Sequence, residues 1–217
     1  MSDAPSSATD ICNLALDHCG DYSIEDIDDE GDIPELCARW YDQTRRALLR
    51  GYIWNFSPRY ESLTREGDGD NDYEDRYAYP ASCLRLHMIA DALPVEDNKI
   101  EDYELTSDGS TQYINVDNGG DTLYVKYTID VENVSLFDPL FLDLFALRLA
   151  LKMVFKITKK QKDVERIAAL LKVEGAKAVS VDGQERPPRR RQASKVINAR
   201  YRGSSSNQTH RGNFDAS

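Results

Sequence analysis

The stretch WNFSPRY, residues 54–60, marks the point at which a helical pattern ends and an extended one begins. Before it, apolar residues recur at alternating spacings of three and four over residues 36–52, which is typical of an amphipathic helix. Pro58 restricts the residue before it to extended conformations. We therefore expect Trp54 and Phe56 to close the apolar face of the helix, and Pro58 to convert helix into strand.

Two helices are expected before this corner. The first runs from about Thr9 to Cys19 and ends at Gly20, because glycine tolerates the left-handed conformation of a helix C-terminus. The second begins at Asp32, whose carboxylate can cap it, and Pro34 fits its first turn.

Short runs of β-branched and aromatic residues follow the corner, and they predict a small antiparallel sheet between about residues 57 and 131. These runs read CLRLHMI, KIEDYEL, TQYINV and TLYVKYTIDV. The sequence DNGG joins the last two. It predicts a tight hairpin between them, because Asn and Gly tolerate a positive φ.

Two further helices are expected after the sheet. The first begins at Asp138 and Pro139 and is apolar almost all round, so it should be central in a bundle. Its polar stripe consists of Arg148, Lys152, Lys156 and Lys159. Charged residues interrupt residues 136–157 too often for an easy membrane span. A final helix is expected from about Lys160 to Val179.

The charge of the chain is divided between its two parts. Residues 1–185 carry 19 Lys/Arg and 37 Asp/Glu, whereas residues 186–217 carry eight Lys/Arg and one Asp. The C-terminal segments RPPRRR and NARYRG combine charge, proline and one tyrosine, as nucleic-acid-binding segments do. Such an arm can bind nucleic acid or an acidic protein surface, including another copy of this body. An unstructured solubilising terminus is the other interpretation.

Together these patterns predict a mainly α (α+β) fold. It would consist of a four-helix bundle core with an inserted small antiparallel β region and an extended basic C-terminal arm. The expected boundaries are 1–58 for the first half of the helical core, 59–131 for the β region, 132–180 for the second half of the core and 181–217 for the arm.

The sequence offers little catalytic chemistry. It contains no nucleophile elbow, phosphate-binding loop or dinucleotide fingerprint. Its three histidines form no close metal-ligand pair. The loop at residues 66–75 alternates aspartates as calcium loops do, but Tyr73 occupies the position of the turn glycine, which favours a solvated loop. We therefore predict a chain that is not an enzyme and takes no cofactor.

The four cysteines are Cys12, Cys19, Cys37 and Cys83. They include no CxxC pair, and the N-terminus has no signal-like segment. We expect reduced, buried thiols in a cytoplasmic product.

Four sequence blocks, in order and with their spacings, resemble the tail tubular protein A family of podoviruses, the head-to-tail adaptors. The blocks are DICNLALDHCG, ELCARWYDQTRRALLRGYIWNFSPRYESL, YAYPASCLRL and YVKYTIDVENVSLFDPLFLDLFALRLALKMV, and they span roughly residues 9–180. Ser82 stands where typical members have Asp. The motif residues that carry the resemblance are Trp40, Trp54, Asn55, Phe56, Tyr79, Pro80, Cys83, Leu84 and Arg85.

The resemblance implies a structural role in the virion, at the junction of head and tail. A family member forms a dodecameric ring between the portal protein and the tail nozzle (tail tubular protein B), and the ring lumen is part of the DNA exit channel. The resemblance implies no membrane partner. The resemblance also implies that the C-terminal arm reaches along the portal, and this assigns portal contacts to Arg186, Arg189, Arg190, Arg191, Lys195, Arg200, Tyr201 and Arg202.

Two other hypotheses belong to different functional classes. A DNA-binding module would use the basic arm and would bind duplex DNA with a steep salt dependence. A tail-associated hydrolase would need a pocket of convergent acid, base or metal ligands, and the sequence supplies no such set of residues.

Overall fold

The computed structural model describes residues 5–20 and 23–185 of the 217-residue chain. Two helices come first, seven strands follow, and two helices complete this part of the chain. The helices are α1 (Ala8–Cys19), α2 (Asp32–Gly51), α3 (Pro139–Thr158) and α4 (Gln161–Gln184), and a 3₁₀ turn at Val134–Leu136 precedes α3. The strands are β1 (Pro58–Gly67), β2 (Asp75–Ala78), β3 (Cys83–Ala90), β4 (Lys99–Ile100), β5 (Tyr103–Ser107), β6 (Gln112–Val116) and β7 (Thr122–Ile129).

The prediction of a mainly helical four-helix bundle with a small β insertion is wrong. Of the described residues 44% are helical and 23% lie in strands, and the strands form one antiparallel, nearly closed, barrel-like sheet. Its strand order is β4-β3-β7-β1-β2-β6-β5. Only residues 101–102 separate the two edge strands, β4 and β5, along the chain. The two edges therefore come close together at that corner.

The sheet has a buried hydrophobic core of its own, separate from that of the helices. The β region is therefore a major part of the fold and not a small insertion into a helical bundle. That core consists of Tyr77, Ile89, Ile114, Val116, Leu123, Val125 and Tyr127. The sequence pattern predicted a smaller sheet than the structure has, because the charged strands β1 and β2 show no continuous apolar run. It also placed KIEDYEL in one strand, whereas the structure divides that run between β4 and β5.

The predicted DNGG hairpin is also wrong, because β6 and β7 are not neighbours in the sheet. The β1–β2 pair lies between them. The turn is instead fixed by Asp75, whose carboxylate accepts the backbone N–H of Gly119 at 2.9 Å and of Gly120 at 3.1 Å. A Cβ atom at Gly119 would lie 2.5 Å from the hydroxyl of Tyr77, so this close approach requires glycine.

Helix α3 is the centre of the helical region, as its apolar pattern predicts. Helices α1, α2 and α4 all pack against it. Its predicted start is confirmed: Asp138 is the N-cap and accepts the backbone N–H of Leu140 at 2.8 Å, with Pro139 in the first turn. Helix α1 ends at Gly20 in a left-handed conformation, also as predicted.

Helix α2 differs from its predicted pattern at both its start and its buried face. Its N-cap is Gly31 at φ 143°, with no side-chain cap, and Asp32 is already helical. Ala47 continues the apolar spacing of the predicted helix but is exposed, whereas Arg45 and Leu49 lie outside that spacing and are buried. The reason is that α2 contacts α3 on one side and strands β3 and β7 on another, so it buries a wider face than one bundle contact requires.

The corner at residues 54–57 connects the helices to the sheet. Trp54 is 1% exposed, and its indole Nε1 donates to the carbonyl of Leu48 at 3.2 Å. The rings of Trp54 and Phe56 each lie 5.1 Å from that of Phe141 on α3. The hydroxyl of Ser57 donates to the carbonyl of Trp54 at 2.9 Å. The predicted helix-to-strand corner is therefore confirmed, and its aromatic side chains belong to the helical core.

The substitution Phe141→Ala tests this aromatic core. We expect it to lower the free energy of unfolding by about 3–5 kcal/mol, because it removes a fully buried ring that contacts four others. Urea denaturation followed by circular dichroism measures the loss. Phe155→Ala on the same helix is the matched control, because Phe155 is 59% exposed, and it should cost less than about 1 kcal/mol. Equal losses for both variants would contradict the packing described.

Candidate interaction surfaces

The corner also holds the end of the last helix. The backbone N–H of Asn55 donates to the carboxylate of the buried Asp182 at 2.9 Å, and its side-chain Nδ2 donates to the carbonyl of Asp182 at 3.0 Å. The hydroxyl of Tyr52 donates to the carbonyl of Val179 at 3.2 Å. These bonds explain why α4 continues to Gln184, beyond its predicted end at Val179. They fix the final described turn before the basic segment begins.

The second group of motif residues forms a turn between β2 and β3. The backbone N–H of Cys83 donates to the carbonyl of the buried Pro80 at 2.9 Å. The thiol of Cys83 donates to the hydroxyl of Tyr79 at 3.0 Å. Burial raises the pKa of both groups, so each keeps its proton near neutral pH. This geometry gives the turn a structural role.

Leu84 and Arg85 connect the same turn to α2. Arg50, in the last turn of α2, donates from Nη1 to the carbonyl of Leu84. Arg85 donates from Nη1 to the carbonyl of Arg50 at 3.3 Å. The motif residues therefore hold β3 against the end of α2.

A buried ion pair, which the helical pattern of α2 did not predict, lies between α2 and the end of the sheet. The side chain of Arg45 is 3% exposed, and its Nη1 lies 2.6 Å from Asp130 Oδ1. It also donates to the carbonyl of Val131 at 2.5 Å. Arg46 contacts the other oxygen of Asp130, at 2.8 Å. The partners are 85 residues apart in sequence, so only knowledge of the sheet topology could have paired them.

Helix α3 presents a basic face in an otherwise acidic body. Residues 144–162 contain six Lys/Arg and no Asp or Glu. Phe155, 59% exposed, lies among these cations. We call this surface the basic face and define it by Arg148, Lys152, Phe155, Lys156, Lys159 and Lys160.

One lysine of the basic face also packs against α2. Nζ of Lys152 lies 4.5 Å from the centre of the Trp40 ring and 3.1 Å from Gln43 Oε1. Burial, together with the nearby Arg148, lowers the pKa of Lys152. Trp40, one of the motif residues, therefore packs against a lysine of the basic face.

An apolar cavity adjoins the basic face. Its volume is about 290 Å³, and Arg148 is one of its lining residues. The apolar lining includes Leu144 of α3 and Leu171 and Val179 of α4. The cavity can accept an apolar side chain.

The sheet presents the opposite charge. Residues 59–131 carry 17 Asp/Glu and six Lys/Arg. The loop before β2 folds toward β5: Asn71 Nδ2 donates to Glu104 at 3.0 Å, and the hydroxyl of Tyr73 donates to Asp102 at 3.2 Å. Burial raises the pKa of Tyr73, and so do Asp102, Glu104 and Asp117, which indicates a concentrated negative potential.

Two large apolar side chains are exposed at this edge of the sheet. Tyr103 is 37% exposed and Leu105 is 50% exposed. We call this surface the acidic edge and define it by Glu101, Asp102, Tyr103, Glu104 and Leu105.

Within residues 5–20 and 23–185, no group of three or more His, Cys, Asp or Glu could hold a metal ion. No helix in this part of the chain is long and apolar enough to cross a membrane. Cys12, Cys19 and Cys37 are buried as expected, but Cys83 is only half-buried.

No protein-family model and no curated protein sequence matches this chain. The adaptor resemblance therefore rests on the four sequence blocks alone. The predicted portal-binding residues, from Arg186 to Arg202, lie outside the residues that the structure describes. Their role stays a prediction.

The substitution Asn55→Ala tests the contact between the corner and α4. We expect it to lower the free energy of unfolding by about 1 kcal/mol, because it removes the hydrogen bond to the carbonyl of Asp182. Hydrogen exchange of backbone amides 178–184 should become faster. Asn98→Ala is the control, since Asn98 donates to the nearby carbonyl of Pro94, far from α4 in sequence. Unchanged exchange at the end of α4 in Asn55→Ala would refute the contact.

Proposed function

We propose that this chain is a non-enzymatic adaptor of a bacteriophage tail. In the proposed role it forms a ring, most consistent with a dodecamer, that joins the portal protein to the tail nozzle. Genome DNA passes through the lumen of that ring. The four sequence blocks that resemble head-to-tail adaptors support this proposal, and their motif residues occupy structural positions at the corner and at the turn before β3.

The division of charge is the observation that carries the proposal. Residues 1–185 have 37 acidic and 19 basic side chains. Such a body repels the phosphate backbone of DNA, so a genome can pass without being held. The eight Lys/Arg of residues 186–217 provide the opposite property, because arginine pairs bidentately with carboxylates and stays charged at any relevant pH.

The structure also supports a clamp-like use of the arm. The arm follows α4, whose last turn is held by Asn55 and Tyr52. A firmly held helix end transmits force from a bound arm to the helical core. We therefore assign portal binding to the arm, with Arg189, Arg190 and Arg191 as its most concentrated charge.

Truncation of the arm tests this function. Deletion of residues 186–217 should leave a folded body that no longer joins purified portal complexes in co-sedimentation. Deletion of residues 204–217 is the matched control, and it should retain binding because it keeps seven of the eight Lys/Arg. Replacement of the three consecutive arginines by glutamine should weaken binding at least about tenfold. Undiminished joining by the longer deletion would refute the docking role.

The same proteins distinguish the DNA-binding alternative. If the arm binds the genome as its main role, the full-length chain should bind duplex DNA with an affinity that falls steeply with salt. The longer deletion should then abolish DNA binding. We expect weak or undetectable DNA binding, since the acidic body opposes it.

A further inference from the structure

We propose that the basic face of α3 and the acidic edge around β5 are the two sides of one heterologous interface between neighbouring copies of this chain. The inference rests on the proposed ring-forming function, and it names the surfaces through which the ring closes. In this interface each of the two surfaces binds another copy of this chain.

The basic face has charge that its own body does not neutralise. Among the described residues, no carboxylate forms a salt bridge with Lys156, Lys159 or Lys160. The exposed ring of Phe155 lies among these lysines, and the apolar cavity next to Arg148 lies two turns of α3 away. Apolar groups surrounded by charge are the usual composition of a protein interface.

The acidic edge has the matching composition with the opposite sign. Tyr103 and Leu105 are paired across the sheet with Val116 and Ile114, both fully buried, so all four belong to the inner face of the sheet. Tyr103 and Leu105 are nevertheless exposed, because β5 is an edge strand and no strand within the described residues pairs with its open side. Exposed apolar residues on an open strand edge favour contact with another chain.

The two surfaces fit each other better than they fit DNA. The basic face alone could attract phosphates, but DNA would leave Tyr103 and Leu105 exposed, and the acidic edge would repel it. A second copy brings carboxylates to the lysines and apolar side chains to Phe155 and the cavity. Because the two surfaces are different regions of one chain, their contact is heterologous, and repetition of it generates a ring when the rotation closes.

Charge reversal in the full-length chain tests the interface. Sedimentation velocity at low salt should show reversible self-association of the wild type. Variant A, Lys156→Glu with Lys159→Glu, and variant B, Glu101→Lys with Asp102→Lys, should each weaken it at least about tenfold. The control variant, Lys172→Glu with Lys177→Glu, makes the same charge change as variant A on exposed positions of α4 and should associate as the wild type does.

A mixture of variants A and B gives the sharpest outcome. In variant A the introduced carboxylates repel the acidic edge of another copy, and in variant B the introduced lysines repel the basic face, so self-association is weakened in each. Between A and B the introduced carboxylates and lysines attract each other, and the unchanged surfaces still fit. An equimolar mixture should therefore recover association, and 0.5 M salt should weaken it. Circular dichroism checks that both variants are folded. A mixture that stays monomeric, or a wild type that stays monomeric up to millimolar concentration, would overturn the interface.

The outcomes separate this inference from the adaptor role. If copies associate through these surfaces but the full-length chain does not join portal complexes, the interface stands and the adaptor role fails. If the chain joins portals through its arm but its copies show no charge-dependent association, the adaptor role stands and this interface is wrong. Duplex DNA bound by the wild type and lost in variant A, without self-association, would assign the basic face to nucleic acid instead.

Discussion

The aromatic contact between the corner after α2 and the start of α3 is the constraint on which the described structure depends. Trp54 and Phe56 pack against Phe141, and Phe56 also packs against Phe137, just before α3. These rings come from the two points where the chain enters and leaves the β region. One cluster therefore fixes both ends of a seven-stranded sheet to the helices.

Hydrogen bonds on either side of this cluster complete the connection. The backbone N–H of Ile129 donates to the carbonyl of Ser57 at 3.0 Å, which joins the last strand to the corner. Asp130 follows at once and bridges Arg45 and Arg46 of α2. On the other side, Asn55 holds the last turn of α4. The buried arginine is costly to desolvate unless paired, so it constrains where the sheet can end.

The sequence predicted what depends on local patterns. The start of α3 was confirmed because Asp138 and Pro139 supply a side-chain cap and a preset φ within three residues. The β1–β2 pair between β6 and β7 could not be predicted from local sequence. DNGG is compatible with a hairpin, but here it forms a longer connection between two strands that are not neighbours, and Asp75 holds it by accepting a backbone N–H. Strand pairing is non-local, and a turn sequence alone does not determine which strands become neighbours.

The same limit applies to the candidate surfaces. The polar stripe of α3 is visible in the sequence, but its relation to an acidic edge strand is not. The strand order places β5 at one edge of the sheet. Leu105 is exposed because this edge has no neighbouring strand in the described sheet. The body is therefore not a uniform acidic surface. It has one basic face, one acidic edge with exposed apolar residues, and a corner that holds the helix before the arm.

Electron cryomicroscopy of the full-length chain with purified portal complexes would show directly how the copies are arranged. We expect closed rings on the portal, with α3 of each copy against β5 of the next and the basic arm of each copy along the portal surface. Portals without rings, or rings in which α3 and β5 face solvent, would contradict it.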